Sequence, residues 1–241
     1  MTTSTRTDLA TQLAGSRVAL ADPDVPEAAV RDALAEMVAH HDFPCLGARS
    51  VFRRDAARIL VLQGMGDEDL ATLGEGLRAF GARHAGGEEL TSFIVVLRSP
   101  VPSTEEAFES LLWGVLQHLH DHDDEPWAPD VASDPRDPRF AFSFAGTPFF
   151  VVGMHPAASR IARRAPLPTI VFNLHRQFER LRAEGTFARM RAAIRRRDER
   201  LQGSVNPMMD DYGSTSAARQ YSGRAVEPAW RAPFATKGSR P

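Results

Sequence analysis

Cysteine occurs once in the 241-residue sequence, as Cys45. An intramolecular disulfide is therefore excluded, and nothing points to an oxidising compartment. Lysine is nearly absent beside abundant arginine, a compositional bias that carries little functional information. No run approaches the roughly 18 continuous apolar residues of a membrane-crossing helix. The opening stretch "MTTSTRTDLATQLAGS" lacks the apolar segment of a signal peptide. These absences read as a cytoplasmic protein with no membrane partner. Also missing are a GxGxxG after a strand, a P-loop, a nucleophile elbow and an HExxH pair, so the common enzyme classes that carry them are disfavoured.

What is present is enough for a core: 43% of the residues are hydrophobic, which suits one large domain. The net charge of −2 is unevenly spread. Arginines crowd residues 160–200, and aspartates crowd 121–137. Basic runs can mark nucleic-acid surfaces. Here Glu179, Glu184, Asp198 and Glu199 interrupt the run, and no nucleic-acid module accompanies it, so no nucleic-acid partner is expected.

The periodicities read as an α+β chain. "DVPEAAVRDALAEMVAHH" (24–41) is an amphipathic helix with Pro26 at its start, and "ARILVLQ" (57–63) is a short strand. "DEDLATLGEGLRAFGARHAG" (67–86) spaces Leu70, Leu73, Leu77 and Phe80 as a helix does, and "LTSFIVVLRS" (90–99) is a buried strand. "STEEAFESLLWGVLQHLHDHD" (103–123) is a helix that Ser103 and Glu106 would open as a capping box. After a proline- and aspartate-rich loop, "RFAFSFAGTPFFVVGMH" (139–155) signals a hairpin around Ala145-Gly146-Thr147. "PTIVFNLH" (168–175) is a further strand. A helix then runs from Gln177 to Arg182, pauses at Gly185 and resumes through Arg200. We expect one domain over 21–234, with a mixed, largely antiparallel sheet flanked by helices and a long irregular C-terminal tail. Flexible ends are expected at 1–20 and 235–241.

Four groups of residues could carry chemistry. Cys45 follows the rigid Pro44 and is either a small core hydrophobe or an employed sulfur. His118, His120 and His122 could hold zinc for a hydrolase if they lay on a strand, but the pattern is helical, and a solvated helix end competes. In "GMHPAASRIARR" (153–164), His155 and Pro156 suit a strand-to-helix turn. Arg160, Arg163 and Arg164 would then share one cationic helix face fit for a carboxylate-bearing cofactor, with a plain surface helix as the alternative. The segment 201–224 is either a wrapping of the core or a lid. As a lid it would offer Asn206, Asp210, Asp211 and Tyr221 to a substrate. No catalytic acid, base or nucleophile is singled out.

Taken together, "FPCLGA", "FAFSFAGTPFFVVGMHPAASRIARR", "PTIVFNLHRQFERLR", "RMRAAIRRRDERLQGSVNPMM" and "ARQYSGR…WRAPF" resemble the YqcI/YcgG family over roughly residues 40–234. The resemblance implies a heme-dependent N-oxygenase, an oxidoreductase acting on guanidine or aminoimidazole-type nitrogens in arginine-derived natural-product pathways such as those of D-cycloserine and guanitoxin. It implies heme b, a small guanidine or amine substrate, and O2 with an electron donor or peroxide. It leaves room for a homodimer, and for a heme-binding or sensing protein without turnover. The family's tail commonly reads W-x-C-P-F, whereas here Ala232 precedes Pro233 and Phe234, so Cys45 is the one thiolate available. Cys45 is the expected heme-iron ligand, with His155 as the competing one, and Arg160, Arg163 and Arg164 are the expected partners of the propionates.

Overall fold

The computed structural model describes residues 8–9, 17–87, 89–208 and 214–237. Asp210 and Asp211 lie outside the described residues. Five strands form one mixed sheet: β1 (Ala57–Leu62), β2 (Ser92–Leu97), β3 (Phe142–Phe144), β4 (Thr147–Met154) and β5 (Thr169–Leu174). Their spatial order is β1-β2-β5-β4-β3. β1 and β2 run parallel, in register Ala57↔Ser92, and the other pairs are antiparallel. The arrangement is the expected single-domain α+β fold with a mixed sheet.

β2 is buried at all six positions, as a strand covered on both faces must be. Alternation assigns its side chains to two separate cores. Phe93, Val95 and Leu97 point to one face and Ile94 and Val96 to the other. The hairpin between β3 and β4 turns on Ala145 (φ 51°) and Gly146 (φ 67°), two left-handed residues in the two-residue loop that matches strand twist. Thr147 belongs to the strand rather than to the turn.

The helices are α1 (Glu27–Ala39), α2 (Leu46–Arg53), α3 (Asp67–Arg83), α4 (Glu105–Asp121), α5 (His175–Ala183), α6 (Thr186–Gln202) and α7 (Ala218–Tyr221). A one-turn helix, Arg17–Leu20, precedes them. α3 and α4 cover one face of the sheet with a dense aromatic core. Trp113 stacks on Tyr221 at 5.7 Å between ring centroids, and Phe234 of the C-terminal segment closes on Trp113 at 5.8 Å. α4 is capped by Thr104, whose Oγ1 accepts the Ala107 N–H at 3.1 Å. The expected capping box on Ser103 is thus displaced by one residue, because the helix begins at Glu105. The other face carries α1, α2, α5 and α6. Here the covering is incomplete, and a cavity remains. Among the described residues no helix is long and apolar enough to cross a membrane.

Candidate functional site

The cavity measures about 330 Å³, within the range of small-molecule and cofactor sites. Its floor is the second face of the sheet, with Ile94, Val152 and Val171. Its walls come from α2 and α6, including Ala48, Phe52, Phe187 and Met190. Most of this lining is apolar, with a minority of polar and charged side chains among it, so the space suits a ligand with substantial apolar surface.

Cys45 opens onto the cavity as the N-cap of α2. Its extended backbone (φ −75°, ψ 105°) turns Sγ back to accept the Ala48 N–H at 3.4 Å. Serine or aspartate would satisfy that N–H better than a thiol does, since sulfur is a weak acceptor. Burial pushes the Cys45 thiol up; the Ala48 and Gly47 N–H groups and the Arg163 guanidinium act the other way. The sulfur is thus placed where an anionic form would meet backbone donors and a cation.

Arg163 also lines the cavity. It donates to the carbonyl oxygens of Gly153 (3.0 Å) and Gln220 (3.1 Å). Burial pushes its pKa down to about 10, opposed by the fields of Cys45 and Asp198. No carboxylate among the described residues forms an ion pair with it. Among the described residues, the charge of Arg163 is therefore met by two carbonyl dipoles and, without a direct ion pair, by the fields of Cys45 and Asp198.

The other expected site residues disperse. Residues 155–160 form turns rather than a helix, and the only helical piece is the 3-10 turn Ile161–Arg163. Tethers to α6 replace a helical ladder: the Ile161 N–H donates to Gln202 Oε1 at 2.8 Å, and Arg160 reaches Asp198 at 2.6 Å. The shared cationic face of Arg160, Arg163 and Arg164 does not form. Arg160 pairs with Asp198, Arg163 faces the cavity, and Arg164 donates to the Ala158 carbonyl at 2.8 Å. His155 is buried and stacked on Phe108 of α4, centroids 4.4 Å apart, and its side chain lines no part of the cavity.

Asn206 reaches the cavity, and its Oδ1 accepts the Met208 N–H at 3.0 Å. Tyr221 does not. It lies fully buried in the opposite core, where its hydroxyl accepts from the Phe142 N–H and donates to the Phe149 carbonyl, because α7 turns its neighbours Ala217 and Gln220 to the cavity instead.

The imidazoles of His118, His120 and His122 also part company, because α4 stays helical through Asp121. His120 turns inward onto Trp127 and Phe234, while His118 and His122 stack on each other at 4.0 Å. Among the described residues, the side chains clustered closely enough for a metal are His40, His41 and Asp42, with ligand atoms within 4.8 Å of one another.

Sequence reasoning missed several wall residues, among them Asn173, His175 and Gln177. Asn173 was findable in principle, being a polar residue on the strand face that otherwise reads Val171 and Thr169. Asn173 Oδ1 accepts from Ser92 Oγ at 2.7 Å across the β2–β5 pair. Burial pushes the His175 pKa down, so this imidazole is a neutral wall group, with Glu179 opposing the shift and Arg182 adding to it.

A model of the YqcI/YcgG family matches residues 34–235. The chain belongs to this family. Every side chain placed on the cavity wall above falls inside the YqcI/YcgG match. Two Bacillus subtilis (strain 168) proteins, YcgG and YqcI, are 29% identical over 182 and 179 residues. Each alignment covers 71% of this chain, and 71% and 70% of the relatives. A Streptomyces lavendulae protein, DcsA, provisionally named an N(omega)-hydroxy-L-arginine synthase, is 27% identical over 220 residues, 86% of this chain and 83% of its own. No solved structure matches the chain.

Proposed function

We propose that this YqcI/YcgG protein is a heme-dependent N-hydroxylase acting on a guanidino or related amine nitrogen of a small molecule. The observation that carries the reading is the lone thiol Cys45 at the mouth of α2, facing an apolar cavity with a cation in its wall. The name of the Streptomyces lavendulae relative supports the reaction class and an arginine-like substrate.

The residues present fit heme b. A soft sulfur donor stands on a rigid helix start, the walls are apolar, and Arg163 has no carboxylate partner among the described residues. Cys45 would hold the iron, and Arg163 would offset either the thiolate or a propionate. His155, packed against Phe108, is the weaker ligand candidate. Heme when bound supplies activation of O2 or peroxide for insertion of one oxygen into an N–H bond, with an electron donor providing two electrons when O2 is used.

The chain's own residues do the rest. The Ala48 N–H steadies the sulfur. The apolar side chains Phe52, Val152, Phe187 and Met190 keep bulk water from the reacting nitrogen. Burial disfavours the charged form of His175, so this imidazole adds little to the positive charge that Arg163 and Arg182 already bring to the wall.

The test is the absorption spectrum of protein expressed with a heme precursor, followed by turnover with arginine and an oxidant. The expected result is a Soret band at near-stoichiometric occupancy, a reduced CO band typical of thiolate-ligated heme, and a product heavier by one oxygen. A colourless, heme-refractory protein would overturn the reading. Heme without turnover on a broad guanidine and amine panel would make it a heme-binding module instead.

A further inference from the structure

Among the side chains that line the cavity, Gln177 and Asp198 each carry a buried polar atom, Nε2 and Oδ1, with no hydrogen-bond partner among the described residues. The side chains are 6% and 3% exposed. Native structures leave few buried polar atoms unmet, so each calls for an explanation. Each side chain is held by its other end. The Thr91 N–H donates to Gln177 Oε1 at 3.3 Å, which fixes the amide and leaves its NH2 as the unmet group. Asp198 Oδ2 accepts from Arg160 Nη2 at 2.6 Å, which leaves Oδ1 unmet.

The two atoms have opposite polarity, and the fold sets them at opposite ends of the cavity floor. Thr91 precedes Ser92, which pairs with Asn173 at one end of the β2–β5 ladder. Arg160 lies in the loop from Met154 to Thr169, and those two residues face each other at the other end. Four residue steps along β5 take Thr169 to Asn173, roughly 13 Å at the usual strand rise. Arg182, on the same helix as Gln177, also lines the cavity and adds positive charge to its wall.

We infer that Asp198 and Gln177 are the specificity-determining residues of the site. Asp198 Oδ1 receives an N–H of the substrate's guanidino group, a charge-assisted bond. Gln177 Nε2 donates to a carboxylate or carbonyl oxygen at the substrate's far end. The substrate class is thereby narrowed to elongated molecules carrying both groups, and a simple guanidine or an amine without the oxygen is discriminated against. The assignment rests on the hydroxylase reading and adds the residues that choose the substrate.

The experiment is calorimetric titration of the heme-loaded full chain with L-arginine and with agmatine, which lacks the carboxylate. Wild type should bind arginine at least about tenfold more tightly. Gln177→Glu keeps the acceptor for the Thr91 N–H but sets a carboxylate in place of the NH2. It should weaken arginine about tenfold or more and leave agmatine unchanged or tighter. Asp198→Asn keeps an oxygen for Arg160 and should weaken both ligands about equally. Should Asp198→Asn fail to fold, Gln177→Glu and the wild-type comparison still decide. Equal wild-type affinities, or a Gln177→Glu loss shared by both ligands, would overturn the assignment and leave the hydroxylase reading standing. Wild type binding neither ligand would remove the guanidino-substrate reading and the assignment with it.

Discussion

Arg160 Nη2 and Asp198 Oδ2 meet at 2.6 Å in a buried ion pair that fastens the loop after β4 to α6. Removing one partner strands the other charge away from water. We expect Asp198→Ala to lose about 3–5 kcal/mol of stability. The double variant Arg160→Met with Asp198→Leu should regain most of it. Chemical denaturation of both variants checks this, and an Asp198→Ala chain as stable as wild type would show the pair to be solvated.

Among the described glycines, Gly153 has the least room for a side chain. A Cβ there would stand 2.6 Å from both Leu112 Cδ1 and Phe108 Cε1, and 2.8 Å from the Tyr221 carbonyl oxygen. The obstacles include backbone, so relaxation is limited. Gly153→Ala is expected to cost about 1–3 kcal/mol or more, lowering the melting temperature by several degrees. Gly114 serves as the control: a methyl there would meet nothing within 4 Å, so alanine should be neutral or slightly stabilising.

His120 Nε2 accepts the Lys237 N–H at 2.9 Å, and burial followed by the Lys237 charge pushes its pKa down. The folded value lies below the unfolded one, so in acid the unfolded chain binds the additional proton. Stability therefore falls as pH drops below about 6.5. His120→Gln supplies a carbonyl acceptor that does not titrate. Its melting temperature should decline less between about pH 7 and 5 than that of wild type, and parallel curves would remove His120 from the acid response.

In the heme-free chain the Cys45 thiol is held above its ordinary pKa by burial. Its thiolate fraction should then grow about tenfold per pH unit between about pH 7 and 9, and alkylation by iodoacetamide should track it without a plateau. Arg163→Leu removes a cation that opposes the shift and should slow the reaction further. A plateau below about pH 8 would mean that the α2 N-terminus dominates over burial. On the proposed heme ligation, Cys45→Ser should abolish a thiolate-type CO band in protein loaded with heme, whereas His155→Ala should leave it intact.

Much of the fold was legible because single residues announce it. The unbroken apolar run of β2 requires cover on both faces, and Gly185, with φ of 67°, stands at the expected pause before α6, which runs on past Arg200 to the left-handed Gly203 (φ 77°). α2 was not legible, since an eight-residue helix with one buried side chain, Val51, carries too little periodicity. Cys45 stood out by rarity, yet nothing local marked it as a helix cap. The spacing of Arg160, Arg163 and Arg164 fits a helix as well as it fits the turns that form. Only the tertiary tethers to α6 decide between them. Gln177 and Asp198 escaped notice because an unmet atom is defined by its surroundings, which the chain assembles from distant segments.

α4 and α6 are both 17 residues long, but α4 buries eight of its side chains and α6 buries one, Asp198. The side covered by α4 is consequently packed more deeply than the side covered by α6, which is held chiefly by polar tethers. Spontaneous opening would begin at α6, without disturbing the aromatic layer, and would admit or release whatever occupies the cavity. Amide exchange should thus be slow along α4 and fast along α6, and an occupant that contacts Asp198 would convert the loose side into a latch.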